Sequence, residues 1–255
     1  MNDPDGVSQR KHHSLSDWLA LHELDPATCR RILDAMERDA AGKPAAPKRL
    51  NSVYQELDLE AAWLRTLEAM RDFLSEHQSI IDDTFEKTAK IVLDRPNKSR
   101  KALTLDNGPT EYPTIFYSYR GEPADCLIIA HEFGHALQIR ASRGKFVPPI
   151  IREICAFLGE GALLSHALDC GEAQYKHLVQ AWREDDRKYC GPQRDRLYAA
   201  LLQPDAPYRY SWNYPIARYL TLQISEQCSR EWIWSVYQGK SSVQDVLRET
   251  GFFPS

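Results

Sequence analysis

The sequence predicts a mainly α-helical protein with one small β-sheet. Most apolar residues recur at spacings of three and four, which places them on one face of a helix. Clusters of glycine and proline separate these segments, and only two short runs carry the β-branched and aromatic residues that are typical of strands. A chain of 255 residues can bury a sizeable core in one domain.

The first helices are expected ahead of both strands, and their apolar periodicity covers residues 15–24, 26–38, 50–77 and 79–93. The sequence GKPAAP at residues 42–47 interrupts this pattern and is typical of a linker. We therefore predict an N-terminal helical appendage with its linker over residues 1–45 and a main domain over residues 46–255.

The two predicted strands cover residues 102–105 and 114–119. We expect the second to be an edge strand beside the helix that follows it, where an extended peptide can add as a further strand. The remaining helices are predicted over residues 172–189, 194–203, 216–238 and 241–250.

Between these groups lies a helix that is apolar on nearly every side, as expected of a helix buried in a core. Gly121 and Pro123 predict its start, and Gly144 predicts its end. Residues 131–135 within it read H-E-F-G-H. Two histidines and a glutamate in a buried helix are strongly disfavoured unless they are paired or bound to a metal.

The spacing of this motif points to a zinc site. Residues four apart share one helix face, so His131 and His135 can bind one zinc ion. Glu132 then lies beside the metal and can take a proton from a water that zinc acidifies to a pKa of about 7. This chemistry is typical of hydrolases that cleave amide bonds.

A second helix over residues 150–168 carries two glutamates seven residues apart, and therefore on one face. We assign Glu153 as the third zinc ligand. We assign Glu160 as the acceptor that holds a ligand histidine by its free ring N–H. The alternative for each glutamate is a solvated surface carboxylate.

These motifs resemble those of the oligopeptidases typified by thimet oligopeptidase and oligoendopeptidase F. The resemblance runs from about residue 103 to the C-terminus and is carried by residues 115–121, Asp125, residues 131–138, 152–160, 208–219 and 243–252. It implies a zincin-like metallopeptidase core, one zinc ion, and a small sheet whose edge strand borders the zinc cleft. The main domain would then be the catalytic domain.

The chain departs from this family in three ways. Gln138 replaces the usual histidine, no histidine lies in residues 201–210, and only about 100 residues precede the matched part. We expect a reduced lid over the cleft. Because residues 201–210 contain no histidine, stabilisation of the oxyanion would depend on tyrosine alone.

The resemblance also suggests residues that contact the substrate. A tyrosine hydroxyl can donate to the oxyanion that forms at the peptide carbonyl. We choose Tyr210 for this role, with Tyr208 and Tyr214 as rivals, and each can instead be an ordinary half-buried aromatic residue. The residues expected to bind substrate are Tyr117, Tyr119, Gly121, Tyr208 and Tyr214.

The leading hypothesis is a zinc metallopeptidase that cleaves short or unstructured peptides, with a dedicated precursor peptide as a related possibility. The alternatives are a non-catalytic zinc protein that binds peptides and a zinc hydrolase acting on a non-peptide amide.

A net charge of −4 gives no reason to expect nucleic acid, and no long apolar run predicts a membrane span. Six cysteines without paired spacing and a polar N-terminus favour the cytoplasm. The oligomeric state is left open.

Overall fold

The computed structural model describes residues 13–42, 57–93, 102–171, 174–203 and 205–252. Over these residues the protein is mainly helical with one small mixed sheet, which confirms the predicted fold class at this level. The helices are α1 (Leu15–Leu21), α2 (Pro26–Gly42), α3 (Leu59–Phe73), α4 (Gln78–Lys87), α5 (Pro123–Ser142), α6 (Pro149–Asp169), α7 (Tyr175–Asp185), α8 (Gly191–Ala200), α9 (Asn213–Gln227), α10 (Arg230–Tyr237) and α11 (Val243–Glu249). The strands are β1 (Ala89–Val92), β2 (Leu103–Leu105) and β3 (Thr114–Tyr117). Two 3₁₀ turns and one π-helical segment complete the set at Ser75–His77, Tyr210–Trp212 and Asp186–Cys190.

Helix α5 is the central helix of the core. It starts after Gly121, whose φ of 77° suits glycine. The Asp125 carboxylate accepts hydrogen bonds from the backbone N–H groups of Arg120 and Glu122, at 2.8 and 3.0 Å. These bonds satisfy N–H groups at the helix entry and fix the direction in which α5 leaves the sheet.

Helices α5 and α6 approach each other backbone to backbone. A Cβ atom on Gly134 of α5 would lie 2.6 Å from the Cys155 carbonyl oxygen. A Cβ atom on Gly159 of α6 would lie 2.4 Å from the Ala130 carbonyl oxygen. Only glycine fits at these two positions, and this close contact brings the polar residues of both helices together.

The strand order corrects one prediction. The order is β1-β3-β2, so β3 is the central strand, parallel to β1 and antiparallel to β2. Residues 114–117 are therefore not at the edge, because strands pair with them on both sides. Among the described residues, β2 is the strand that lies at the sheet edge and contacts α5.

Two of the predicted helices are also wrong in part. Residues 89–92 were expected to continue a helix, but the β-branched Ile91 and Val92 pair with β3 instead. The predicted helix over residues 216–238 is two helices, because Cys228 is extended and Ser229 accepts a hydrogen bond from the Trp232 N–H to start α10.

The predicted linker lies outside the described residues, apart from Gly42 at the end of α2. The boundary at residue 45 therefore stays a prediction. Helices α1 and α2 add Trp18, Ile32 and Leu33 to the same buried core as the later helices.

Within the described ranges, no helix combines the length and apolar character needed to cross a membrane.

Candidate metal centre

The two predicted histidines and Glu153 come together between α5 and α6. Their ligand atoms all lie within 4.8 Å of one another. Nε2 of His131 is 3.5 Å from Glu153 Oε2, and Nε2 of His135 is 3.7 Å from Glu153 Oε1. One carboxylate therefore faces the two Nε2 atoms at once.

These separations fit a tetrahedral metal ion. Zinc bonds of about 2.0–2.2 Å place neighbouring ligand atoms about 3.4 Å apart. Glu153 is 2% exposed, and its Oε2 makes no hydrogen bond to any described residue. Since a buried anionic oxygen without a hydrogen bond is costly, a cation between these three residues would offset that cost. The donor set therefore fits zinc.

The protonation states of His135 and Glu153 also suit a metal. Burial lowers the pKa of His135 to about 3 and keeps its imidazole neutral, the form that binds metal. Burial alone would raise the pKa of Glu153. The neighbouring His135 and His131 and the Tyr210 hydroxyl outweigh it and lower that pKa to about 2. The predicted third ligand, Glu153, is therefore an anion at neutral pH.

Glu132, the predicted general base, lies beside this group and is held by the edge strand. The Thr104 hydroxyl of β2 is 2.7 Å from Glu132 Oε2 and 3.0 Å from the Glu132 carbonyl oxygen. Burial raises the pKa of Glu132, which brings its carboxylate closer to the range of an effective proton acceptor.

Glu160 occupies the position predicted for it. Its Oε1 lies 2.8 Å from Nδ1 of His131. Burial lowers the pKa of His131, but the carboxylates of Glu153 and Glu160 on either side outweigh it and raise that pKa to about 10. The other Glu160 oxygen accepts a hydrogen bond from Arg218, a residue that the sequence analysis did not select.

Of the three candidate tyrosines, Tyr210 is in direct contact with a predicted ligand. Its hydroxyl donates to Glu153 Oε1 at 2.6 Å. The Tyr214 ring packs near Tyr210 and Phe157, at centroid distances of 6.0 and 6.5 Å. The Tyr208 hydroxyl accepts a hydrogen bond from Asn213 at 3.0 Å. Burial raises the pKa of all three phenols, so each remains a donor at neutral pH.

The two tyrosines at and just after the end of β3 have partners other than the metal group. Tyr117 is 2% exposed and accepts a hydrogen bond from Trp63 at 2.9 Å. The Tyr119 hydroxyl donates to the Leu57 carbonyl oxygen at 2.8 Å. This segment does not have the edge position expected of it. The contact of Tyr117, Tyr119 and Gly121 with substrate stays a prediction.

A cavity of about 250 Å³ opens beside His131. One wall is apolar and comes from Leu127, Ile128 and Phe157. His131 and Glu132 line the side that faces the metal group, and Tyr214 also borders the space. A substrate side chain can therefore be held next to the predicted general base.

Two contacts of this site were missed by sequence reasoning. Thr104 reaches Glu132 across 28 positions, and Arg218 reaches Glu160 across 58. Thr104 lies in none of the motifs, and Arg218 lies within residues 208–219 but at no spacing that marks its role. An arginine within an apolar helical segment is the one available signal, because a buried arginine needs a buried acid.

The mainly helical fold that carries this His-His-Glu group has a counterpart among solved structures. It matches the crystal structure of a presumed peptidase from Chlamydophila abortus with a TM-score of 0.64 and 13% identity, over 94% of this chain and 54% of that one. It also aligns with a presumed oligoendopeptidase F from Bacillus anthracis str. Ames, with a TM-score of 0.45 and 15% identity, over 93% of this chain and 52% of that one.

The chain thus spans about half the length of the solved structures it matches. The resemblance drawn from its motifs is confirmed at the level of the fold. No protein-family model matches the sequence, and no curated protein matches it either.

Proposed function

We propose that this chain is a zinc-dependent metallopeptidase that hydrolyses short or unstructured peptides. The observation that carries the proposal is the convergence of two Nε2 atoms on the buried Glu153, with Glu132 held beside them by Thr104. A structural zinc site needs ligands only, whereas a buried general base serves hydrolysis.

His131, His135 and Glu153 would hold the zinc ion. Bound there, zinc would supply a Lewis acid that acidifies water and polarises a carbonyl group. Because Thr104 contacts Glu132 Oε2, we assign Oε1 as the oxygen that accepts the proton of the attacking water. Glu132 then returns that proton to the leaving amine nitrogen as the peptide bond breaks.

Tyr210 is the donor we assign to the oxyanion. Its phenol stays protonated because burial raises its pKa, and it lies at the predicted ligand Glu153. A donor placed in advance, where negative charge develops, stabilises the transition state more than the ground state. Tyr214, which borders the cavity, is the rival for this role.

The substrate is expected to lie along the edge strand β2. On β2, the side chains of Leu103 and Leu105 are exposed, while Thr104 between them points to Glu132. An extended peptide paired with this strand would be bound mainly through its backbone. Such binding suits flexible peptides of varied sequence.

The test is metal analysis combined with a mass-spectrometric map of a digested peptide mixture. We expect one zinc ion per chain and cleavage that a chelator abolishes. Glu132→Gln should keep the zinc and lose turnover by roughly 10²–10⁴-fold, because the proton acceptor is gone.

Glu226→Gln is the matched control. It makes the same chemical change at the exposed end of α9 and should leave both measurements unchanged. Equal turnover in Glu132→Gln and the wild type would refute the role of Glu132. A chain that holds zinc and binds peptides without cleaving any would instead be a peptide-binding protein.

A further inference from the structure

We infer that Arg218 is a positioning residue of the metal centre: it fixes the carboxylate of Glu160, and Glu160 fixes the ring of His131. The inference rests on the proposed zinc site. It adds a third layer to that site, contributed by α9 and by the π-helical segment Asp186–Cys190.

The contacts form one continuous chain. Nη1 of Arg218 donates to Glu160 Oε2 at 2.6 Å, and Glu160 Oε1 lies 2.8 Å from Nδ1 of His131. Each Glu160 oxygen thus has its own partner. The orientation of the carboxylate sets the rotation of the imidazole, and that rotation directs Nε2 towards Glu153.

Arg218 itself is fixed from three directions. Its Nε donates to Asp186 Oδ1 at 2.5 Å. Its guanidinium lies between two aromatic rings, 4.5 Å from the centroid of Phe157 and 4.1 Å from that of Trp182. The side chain cannot turn away without losing an ion pair or a stacking contact.

A contribution to stability alone does not account for this arrangement. Arg218 is 4% exposed, and moving an arginine and the carboxylate of Glu160 out of water costs about as much as their attraction returns. An apolar residue of similar volume would pack there as well. What an apolar residue cannot do is hold Glu160 in one orientation.

The position on α9 agrees with this role. Tyr214 and Arg218 are four residues apart, so they share one helix face, and both border the cavity beside His131. The same face of α9 therefore carries a candidate donor to the substrate and the residue that holds the support of a ligand.

A double-mutant cycle on zinc affinity tests the inference without any substrate. We compare wild type, Arg218→Met, Glu160→Gln and the double variant, with competition against a chelator as the readout. Arg218→Met should weaken zinc binding roughly 10- to 100-fold. In the Glu160→Gln background the same change should weaken it less than about twofold, because Arg218 acts through Glu160.

Two further variants separate positioning from folding. Arg218→Lys keeps the charge and should recover part of the lost affinity, more than Arg218→Met. Arg30→Met removes an arginine on α2 that donates to the Leu201 carbonyl oxygen, away from the metal group. It should leave zinc affinity unchanged even if it lowers the melting temperature. Should Arg218→Met fail to fold, Arg218→Lys and Asp186→Asn complete the cycle in its place.

The inference is overturned if Arg218→Met folds and binds zinc like the wild type. It is equally overturned if the double variant loses zinc affinity by the product of the two single fold-changes, since Arg218 would then act independently of Glu160. Absence of peptide cleavage with an intact cycle would count against the proposed peptidase alone. Absence of zinc binding by the wild type would remove both.

Discussion

At the residue scale, Tyr210 and Tyr214 differ in how they meet the buried carboxylate. Tyr210 donates directly to Glu153 through its hydroxyl, while 42% of the residue as a whole is exposed. Tyr214 packs against Phe157 and borders the cavity. We therefore keep Tyr210 as the proposed donor to the oxyanion, and we expect Tyr214 to shape the cavity.

Tyr210→Phe should lower kcat by roughly 10²–10³-fold with little change in KM, because the lost donor acts in the transition state. Steady-state kinetics on a cleaved peptide, together with zinc content, measure this. Tyr214→Phe should affect turnover less. Tyr198→Phe, at an exposed position on α8, is the control and should match the wild type. A larger loss of kcat in Tyr214→Phe than in Tyr210→Phe would assign the role of oxyanion donor to Tyr214 instead.

The residues that local spacing could identify are those that share a helix. His131 and His135 follow from a separation of four, and Glu153 and Glu160 from a separation of seven, because α-helix geometry brings such residues onto one face. The structure places all four at one site. Thr104 and Arg218 could not be found in this way, since only the tertiary fold brings them to Glu132 and Glu160.

At the element scale, the close contact between α5 and α6 determines where the ligands lie. Gly134 lies between the two ligand histidines in sequence, and Gly159 directly precedes Glu160. The backbone contact at these glycines sets the separation of the helices. It therefore also sets the distance from Glu153 to the imidazoles.

Gly134→Ala should destabilise the protein by about 1–3 kcal/mol and weaken zinc binding, because the added Cβ pushes against the backbone of α6. Urea denaturation and chelator competition measure the two effects.

Gly161→Ala is the matched control for this change. A Cβ atom there meets nothing within 4 Å, so it should stabilise α6 by about 0.5–1 kcal/mol through helix propensity and leave zinc affinity unchanged. If Gly134→Ala bound zinc as tightly as Gly161→Ala, the helix contact would not control the site.

The sheet shows where prediction from sequence ends at this scale. Residues 114–117 were correctly expected to be a strand, but strand order depends on which segments pair with it. The strand at residues 89–92 was hidden in an apparent continuation of α4, and without it β3 seemed to be an edge. The local sequence pattern predicts that a segment is a strand, whereas its position in the sheet depends on pairing with distant segments.

At the scale of the whole molecule, the core includes a buried histidine that has no part in the candidate metal centre. His22, which follows α1, is 1% exposed and packs edge-on against Trp18 at 5.4 Å. Neither ring nitrogen hydrogen-bonds to any described residue. Burial lowers the pKa of His22 to about 4, so the folded protein holds this histidine neutral.

This burial makes folding sensitive to acid. Between the ordinary pKa of 6.5 and the folded value of about 4, the unfolded chain binds a proton that the folded chain does not, so stability falls as the pH falls through this window. From pH 7 to pH 5 the loss from His22 should be roughly 2 kcal/mol. Above pH 7 the contribution is nearly constant.

His22→Leu should remove that part of the pH dependence. Urea denaturation of both proteins at pH 7 and pH 5 gives the difference, and all other titrating groups cancel in the comparison. An equal loss of stability in both proteins would show that His22 is not the group responsible.

The backbone contact between α5 and α6 has one more consequence, for the choice of ion. Moving α5 and α6 apart to follow a larger ion would break their backbone contact at glycine, and the donors are two nitrogens and one carboxylate. Calcium needs six to eight oxygens at about 2.3–2.6 Å. The rigid frame therefore selects against calcium by size and by donor type, and favours small ions that accept imidazole.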